Sequence, residues 1–507
     1  MLTQEARPEV WLPPPPPPPP AGRDRATTVI VVSVLAAVLV AAAVAAVAWR
    51  MDADESLYPS AWDPRVAELA DFTATQRGLA FAHPVHVDFL PEAEFVAAVT
   101  APADLSEGDR GEVDAFESMS RALGLVQGDV DLVGAHHELS AEGILAFYDP
   151  ATKRVTVRGT ELTVGVRATL VHELTHALQD QHFELSRLGT YSTDGQNNAF
   201  QGVTEGDALR IQSAYLGTLS ESALDAYHTE MFGGEGMFGG EGMFGGEGGS
   251  AAPPADVPDW LSALFSAPYA LGEPFVYALE ADRGPAAVDE ALRRPPQSDE
   301  QLLDASRYLA GDEPRRVVAP RAEAGEPVVD EGDIGALTWL LMLSERIPAA
   351  EALEAVDGWG GDAYVAFERD GRTCVRARFT GDDDDDTAEM SAALERWAAA
   401  MPGGTASVSP AGSAVELFSC DPGADAVGAG DAVEGGGAGE AMRLLADRSH
   451  LLASLVAGGT SVSDAACVAG AMVAEFTAEE LAAGPDLPDV ETRMAVIDEI
   501  CGPVTPA

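Results

Sequence analysis

The stretch Val171-His172-Glu173-Leu174-Thr175-His176 sets two imidazoles four residues apart, with a carboxylate directly after the first. On a helix, residues four apart stand one turn above each other, so both rings can reach a single ion, and Zn²⁺ suits such donors. Glu173 lies about 100° round the helix from His172, too far to share the ligand edge but near enough to take a proton from a zinc-activated water. A catalytic zinc keeps one exchangeable position, so three protein ligands are required. Glu205, within Thr204-Glu205-Gly206-Asp207-Ala208, is the expected third ligand, at the start of an apolar-spaced run, Ala208, Ile211 and Tyr215, that reads as a second helix. The expected site is thus His172, His176 and Glu205 on the metal, with Glu173 as general base.

Such a set hydrolyses a peptide bond by Glu-assisted attack of the activated water, with a further donor to the developing oxyanion. Tyr191, Tyr215, His228 and Tyr269 are the candidates for that donor, and the sequence does not rank them. Substrate is expected to lie extended along an exposed strand edge, for which Arg154 to Arg158 is the nearest candidate. Gln179 and Asp180 follow His176 at three- and four-residue steps, so either is placed to support a ligand or to face solvent. His182 falls on another face of the helix, and His136 and His137 read as loop residues. The run Asp382 to Asp386 lacks the alternation and glycine turn of a Ca²⁺ loop and reads as a solvated loop.

The motif with Glu205 downstream resembles the gluzincin group of zinc metallopeptidases. A longer resemblance, over much of residues 80 to 420, is to a bacterial family of neutral zinc metallopeptidases. It is carried by Tyr148-Asp149-Pro150, His172 to Phe183, Glu205-Gly206-Asp207-Ala208, Pro295-Pro296-Gln297-Ser298 and Gly358-Trp359-Gly360-Gly361-Asp362. The resemblance implies zinc as cofactor, His172, His176 and Glu205 as its ligands, and Glu173 as the catalytic acid. Thermolysin-like members place an acid four residues after the ligand Glu, where this chain has Leu209. The nearby acid, Asp207, is expected to point away from Glu205 on the helix and to give no support.

The elements that must position these residues follow from periodicity. Val85 to Phe89 reads as a strand, Pro91 to Val99 as a helix, and Ile144 to Tyr148 with Arg154 to Arg158 as a hairpin turning at Asp149 and Pro150. Val164, Ala168, Val171 and Leu174 recur at helical steps and predict an amphipathic helix through the motif. Further helices are expected over Leu271 to Glu280, Ile334 to Ser344 and Glu389 to Ala400, with a small sheet region over Asp357 to Phe379. Three tandem copies of Met-Phe-Gly-Gly-Glu-Gly between Met231 and Gly248 read as a disordered insert, 231–255.

With 30 basic against 83 acidic residues and a net charge of -53, the chain has no basic footprint for nucleic acid. Cys374, Cys420, Cys467 and Cys501 show no C-x-x-C spacing and are expected as two disulfides between sequence neighbours, which requires an oxidising compartment. The uncharged stretch 26–49 is long enough to span a bilayer as a helix. Arg7, Arg23 and Arg25 before it predict a cytoplasmic N-terminus and an extracellular remainder anchored to the cell membrane. Pro13 to Pro20 reads as a polyproline II rod, a spacer or a ligand for a cytoplasmic partner.

The expected organisation is a cytoplasmic tail (1–25), a transmembrane helix (26–49), a juxtamembrane linker (50–75) and a metallopeptidase domain (76–350). A small α/β element (351–422), a glycine-rich linker (423–439) and a helical segment (440–507) follow. The fold class is α+β, and the expected function is that of a membrane-anchored zinc peptidase acting on peptide or protein substrates. A catalytically silent, membrane-tethered extracellular binding protein is the competing reading, against which the intact Glu173 speaks; a zinc enzyme acting on a non-peptide bond is a third.

Overall fold

The computed structural model describes residues 56–99, 107–135, 139, 144–232, 257–426, 436–483 and 489–502. The proline run, the expected span 26–49, His136, His137 and nearly all of the 231–255 insert lie outside the described residues.

Helix α1 (Ala67–Arg77) leads through strand β1 (His86–Leu90) and helices α2 (Glu92–Val99) and α3 (Glu107–Ala122) to a hairpin of β2 (Ala146–Asp149) and β3 (Arg154–Arg158). Next come α4 (Val164–Phe183), α5 (Asp194–Leu216), α6 (Glu221–Phe232), α7 (Asp259–Arg283) and α8 (Ala286–Arg293). Two short helices, α9 (Glu300–Leu303) and α10 (Ala305–Ala310), precede β4 (Val328–Gly332), α11 (Ala336–Ser344) and α12 (Ala349–Val356). Strands β5 (Trp359–Arg369) and β6 (Arg372–Gly381), helix α13 (Asp384–Ala400) and strands β7 (Ala406–Ala411) and β8 (Ala414–Cys420) complete the second sheet region. The chain closes with α14 (Ala438–Ala457), α15 (Val462–Glu475), α16 (Ala478–Ala483) and α17 (Val490–Cys501).

The described residues form an α+β fold in which no transmembrane helix is seen. Among the described residues no helix is long and apolar enough to cross a membrane. The long helices α4 and α7 are punctuated by charge, Arg167, Glu173 and Asp180 in one and Glu273, Glu280 and Asp282 in the other, as befits helices buried among protein partners. Within the expected small α/β element Val365, Phe367 and Cys374 form a small apolar cluster, and within the helical tail Ala471, Phe476 and Ile497 form another. The largest apolar core runs from Phe116 to Ala478, with Trp339, Phe379, Trp397 and Leu445 all completely buried in it.

The first sheet has the order β1-β3-β2, with β1 parallel to β3 and β2 antiparallel to it. Strand β3 is therefore central. Its Val155 and Val157 are fully buried against Val166, Leu170, Val171 and Leu174 of α4, and Arg154 pairs with Asp88 on β1 at 2.6 Å. The second sheet has the order β4-β5-β6-β8-β7. Cys374 and Cys420 face each other on β6 and β8 and form one disulfide; Cys467 and Cys501 join α15 to α17, so both expected pairings are present. The run Asp382 to Asp386 is not a free loop: Asp383 accepts from the backbone N–H of Asp385 and Asp386 and caps α13, while Asp382 pairs with Arg307.

Asp299, which follows the Pro295 to Ser298 block, and Asp362, which ends the Gly358 block, meet at the start of α11. Asp299 accepts from the N–H groups of Ala336 and Leu337 at 3.0 and 3.3 Å, and Asp362 from those of Ile334 and Gly335 and from the Trp359 indole. Gly335, at φ +80°, is required there, since a Cβ would sit 2.7 Å from the Asp299 carboxylate. Burial pushes Asp299 up to about 7 against the pull of these donors, and pushes Asp333 to about 8 and Glu345 to about 7. A carboxyl raised in the folded state stabilises it fully below the unfolded pKa, near 4, and that contribution is lost as pH rises through the folded value. The thermal midpoint is therefore expected to fall between about pH 5.5 and about pH 8.5, with about 2 kcal/mol lost through Asp299 alone. Calorimetry at constant ionic strength checks this, and a midpoint rising across that interval would contradict it.

Candidate metal centre

Helix α4 begins where Thr163 accepts the Val166 N–H at 3.2 Å and ends at Glu184, which turns left-handed at φ 59°. It is not amphipathic as expected. From Leu170 to Asp180 every residue is buried, because the first sheet, α1, α5 and α6 enclose it. Helix α5 starts at Asp194, capped by Thr193, so Glu205 sits three turns inside the helix and not at its start.

Helices α5 and α7 cross backbone to backbone. A Cβ on Gly206 would lie 2.1 Å from the Gly272 carbonyl oxygen, and one on Gly272 would lie 2.1 Å from that of Gly202. Glu205 precedes Gly206, and Tyr269 lies one turn before Gly272, so this crossing brings a carboxylate from one helix and a phenol from the other to His172.

The structure brings the four expected site residues together. His172 Nε2 lies 3.1 Å from Glu205 Oε2 and 3.0 Å from His176 Nε2, and His176 Nε2 lies 3.3 Å from Glu205 Oε2. Three donors on one tetrahedral zinc at about 2.0–2.1 Å stand about 3.3–3.4 Å apart, so this triangle needs only slight widening to hold the ion. The side chains are 9–12% exposed.

The hydrogen bonds behind His176 fix its protonation. Gln179 Nε2 donates to Thr204 O at 3.0 Å and Asp207 Oδ2 at 2.9 Å, so its carbonyl oxygen must accept from His176 Nδ1, 3.0 Å away. Nε2 is then the nitrogen turned toward His172 and Glu205, as a ligand requires. Burial lowers the His176 imidazole, but the Glu205 charge overrides it and holds the ring up to about 9, while Glu205 itself is driven below the ordinary carboxylate range by the two histidines despite its burial. A divalent ion would replace that proton as the partner of the Glu205 charge. His172 is oriented by packing: its ring is stacked on Tyr269 at 6.4 Å and meets His176 edge-on at 4.6 Å, and its Nδ1 has no hydrogen-bond partner among the described residues.

Asp207 corrects the sequence expectation. It points away from Glu205, yet through Gln179 it reaches His176, and it is anchored by Arg77 Nε at 2.7 Å and Arg210 at 3.0 Å, with Arg77 also held by Asp289. Its own carboxyl is buried, and Arg77 and Arg210 keep its pKa low. Glu173 Oε2 accepts from the backbone N–H of Tyr148 on β2 at 2.7 Å. Burial raises the Glu173 carboxyl, and the charges of His172 and His176 draw it back down. Asp180 supports no ligand; it accepts from the Tyr148 hydroxyl at 2.7 Å.

Of the four oxyanion candidates, the structure brings Tyr269 to the ligands. Its hydroxyl is raised well above the phenolic range by the Glu205 charge, by burial and by the Glu173 charge, which keeps it a donor. Tyr191 packs on Phe200, Tyr215 on Phe72, and His228 lies beside Tyr227. The expected substrate edge at Arg154 to Arg158 is also corrected: β3 is paired on both sides, and among the described residues the edge strand beside Glu173 is β2. No protein-family model matches the chain, and no curated protein and no solved structure matches it, so the reading of this centre rests on its own geometry.

Proposed function

We propose that this chain is a zinc-dependent peptidase of the gluzincin kind, with His172, His176 and Glu205 holding the ion and Glu173 moving the proton. The observation that carries the reading is the triangle of donors 3.0–3.3 Å apart with a base one residue along the same helix. Zinc held there acidifies a water and polarises a carbonyl oxygen.

The chain's own residues supply the rest. Glu173, pinned by the Tyr148 amide, is aimed and partly desolvated, so it can take a proton from the attacking water and deliver it to the leaving amine. Tyr269 donates its hydroxyl to the oxygen on which charge develops. An extended substrate finds its main-chain partners on the β2 edge. Because Arg158 N donates to Leu145 O, alternation turns the backbone groups of Ala146 and Tyr148 outward, away from β3. The two disulfides fit a protein that works in an oxidising compartment.

The test is to purify the full chain, measure bound zinc and assay an unbiased peptide library, with chelator and zinc add-back. Stoichiometric zinc and chelator-sensitive cleavage are expected. Zinc with no cleavage would favour a silent binding protein, and absence of zinc binding would end the reading. Tyr269→Phe is expected to lower kcat on the order of 10²-fold with KM and zinc content little changed, read by steady-state kinetics.

A further inference from the structure

Lys153 is the only lysine among the 30 basic residues of the chain. Its backbone sits at φ 59°, a left-handed conformation that a long side chain rarely adopts. Its ammonium lies 2.6 Å from Asp180 Oδ2, the same oxygen that accepts the Tyr148 hydroxyl at 2.7 Å; the other oxygen accepts the Leu185 N–H at 3.0 Å. The Asp180 side chain is only 2% exposed, so this carboxylate is committed to its three donors.

Tyr148 lies on the strand before the hairpin turn and Lys153 is the last residue of that turn, so Asp180 fastens β2 and the turn to α4. The same Tyr148 gives its backbone N–H to Glu173, two turns earlier on α4. The hairpin thus meets the helix at two points through one residue, the phenol at Asp180 and the amide at Glu173. A compact ammonium can share one carboxylate oxygen with a phenol.

We infer that Lys153 and Asp180 are positioning residues for the general base, acting through Tyr148 to hold its amide on the Glu173 carboxylate. The inference rests on the peptidase reading for its catalytic consequence, but not for the contact itself.

The experiment uses the full chain with Tyr148→Phe, Asp180→Asn and Lys153→Met. Tyr148→Phe removes one oxygen atom and leaves the ring to pack. Each variant is expected to lose about ten- to a hundred-fold in kcat with KM within about twofold and zinc content unchanged. The backbone amide of Tyr148, followed by hydrogen exchange in the zinc-free protein, is expected to exchange at least about tenfold faster in each variant. Asp180→Asn combined with Tyr148→Phe is expected to lose no more than the worse single variant, as members of one chain of contacts do. Unaltered exchange at Tyr148 would overturn the inference, as would a loss of zinc in step with kcat or additive losses in the double variant. Should the wild-type protein cleave nothing, the peptidase reading fails, and the exchange rate still decides whether Lys153 and Asp180 hold the amide.

Discussion

Glu173→Gln is expected to keep its zinc and lose hydrolysis by about 10³-fold or more in kcat. The substitution is nearly isosteric, and the amide oxygen can still accept the Tyr148 N–H that Glu173 Oε2 accepts at 2.7 Å, so the local structure should survive. What goes is the capacity to carry a proton. Burial raises the Glu173 carboxyl against the downward pull of His172 and His176, so activity in the wild type should fall as pH drops and Glu173 becomes protonated. The measurements are zinc content by atomic absorption and kcat on a peptide substrate. Wild-type turnover in the variant would remove Glu173 from the mechanism, whereas joint loss of zinc and turnover would make it a structural residue.

The second large effect comes from a residue that touches no ion. Gly206→Ala puts a methyl carbon 2.1 Å from the Gly272 carbonyl oxygen, a distance that only separation of α5 and α7 can relieve. Glu205 travels with one helix and Tyr269 with the other, so zinc affinity is expected to fall about a hundredfold and stability by about 3 kcal/mol. Gly272→Ala, which meets the Gly202 carbonyl at 2.1 Å, should behave alike. Gly217→Ala is the control, since its added carbon would lie 3.5 Å from the nearest atoms at the end of the same helix. Zinc titration and denaturant melts of the three variants decide the matter; a folded Gly206→Ala protein with native affinity would show that the crossing does not set the ligand.

What was legible in the sequence was local or strongly patterned. His172, Glu173 and His176 are legible because a helix converts four-residue spacing into adjacency without help from the rest of the fold. Glu205 was found from its place before an apolar run, although its helix extends back to Asp194, since polar residues such as Gln196 and Asn197 hide the early turns. The hairpin at Asp149 and the two disulfides followed from turn chemistry and cysteine spacing.

What escaped was juxtaposition. Asp207 points away from Glu205, and only the packing of α4 on α5 places Gln179 between it and His176. Asp299 and Asp362 stand far apart in sequence and meet at the start of a third element, where they secure α11 and not the ion. Strand order was equally hidden: nothing in Arg154 to Arg158 announces that β1 will arrive alongside in parallel and close that edge.

The strand left open has only four residues, Ala146–Asp149, which is a length of about 13 Å. One of its outward amide hydrogens is already spent on Glu173. A docked polypeptide can therefore be gripped along its backbone for barely a few links, too few to fix its register by main-chain pairing. If the chain is the proposed peptidase, choice among cleavage points should then fall to the side chains flanking the scissile bond, and short or unfolded chains should outcompete folded ones.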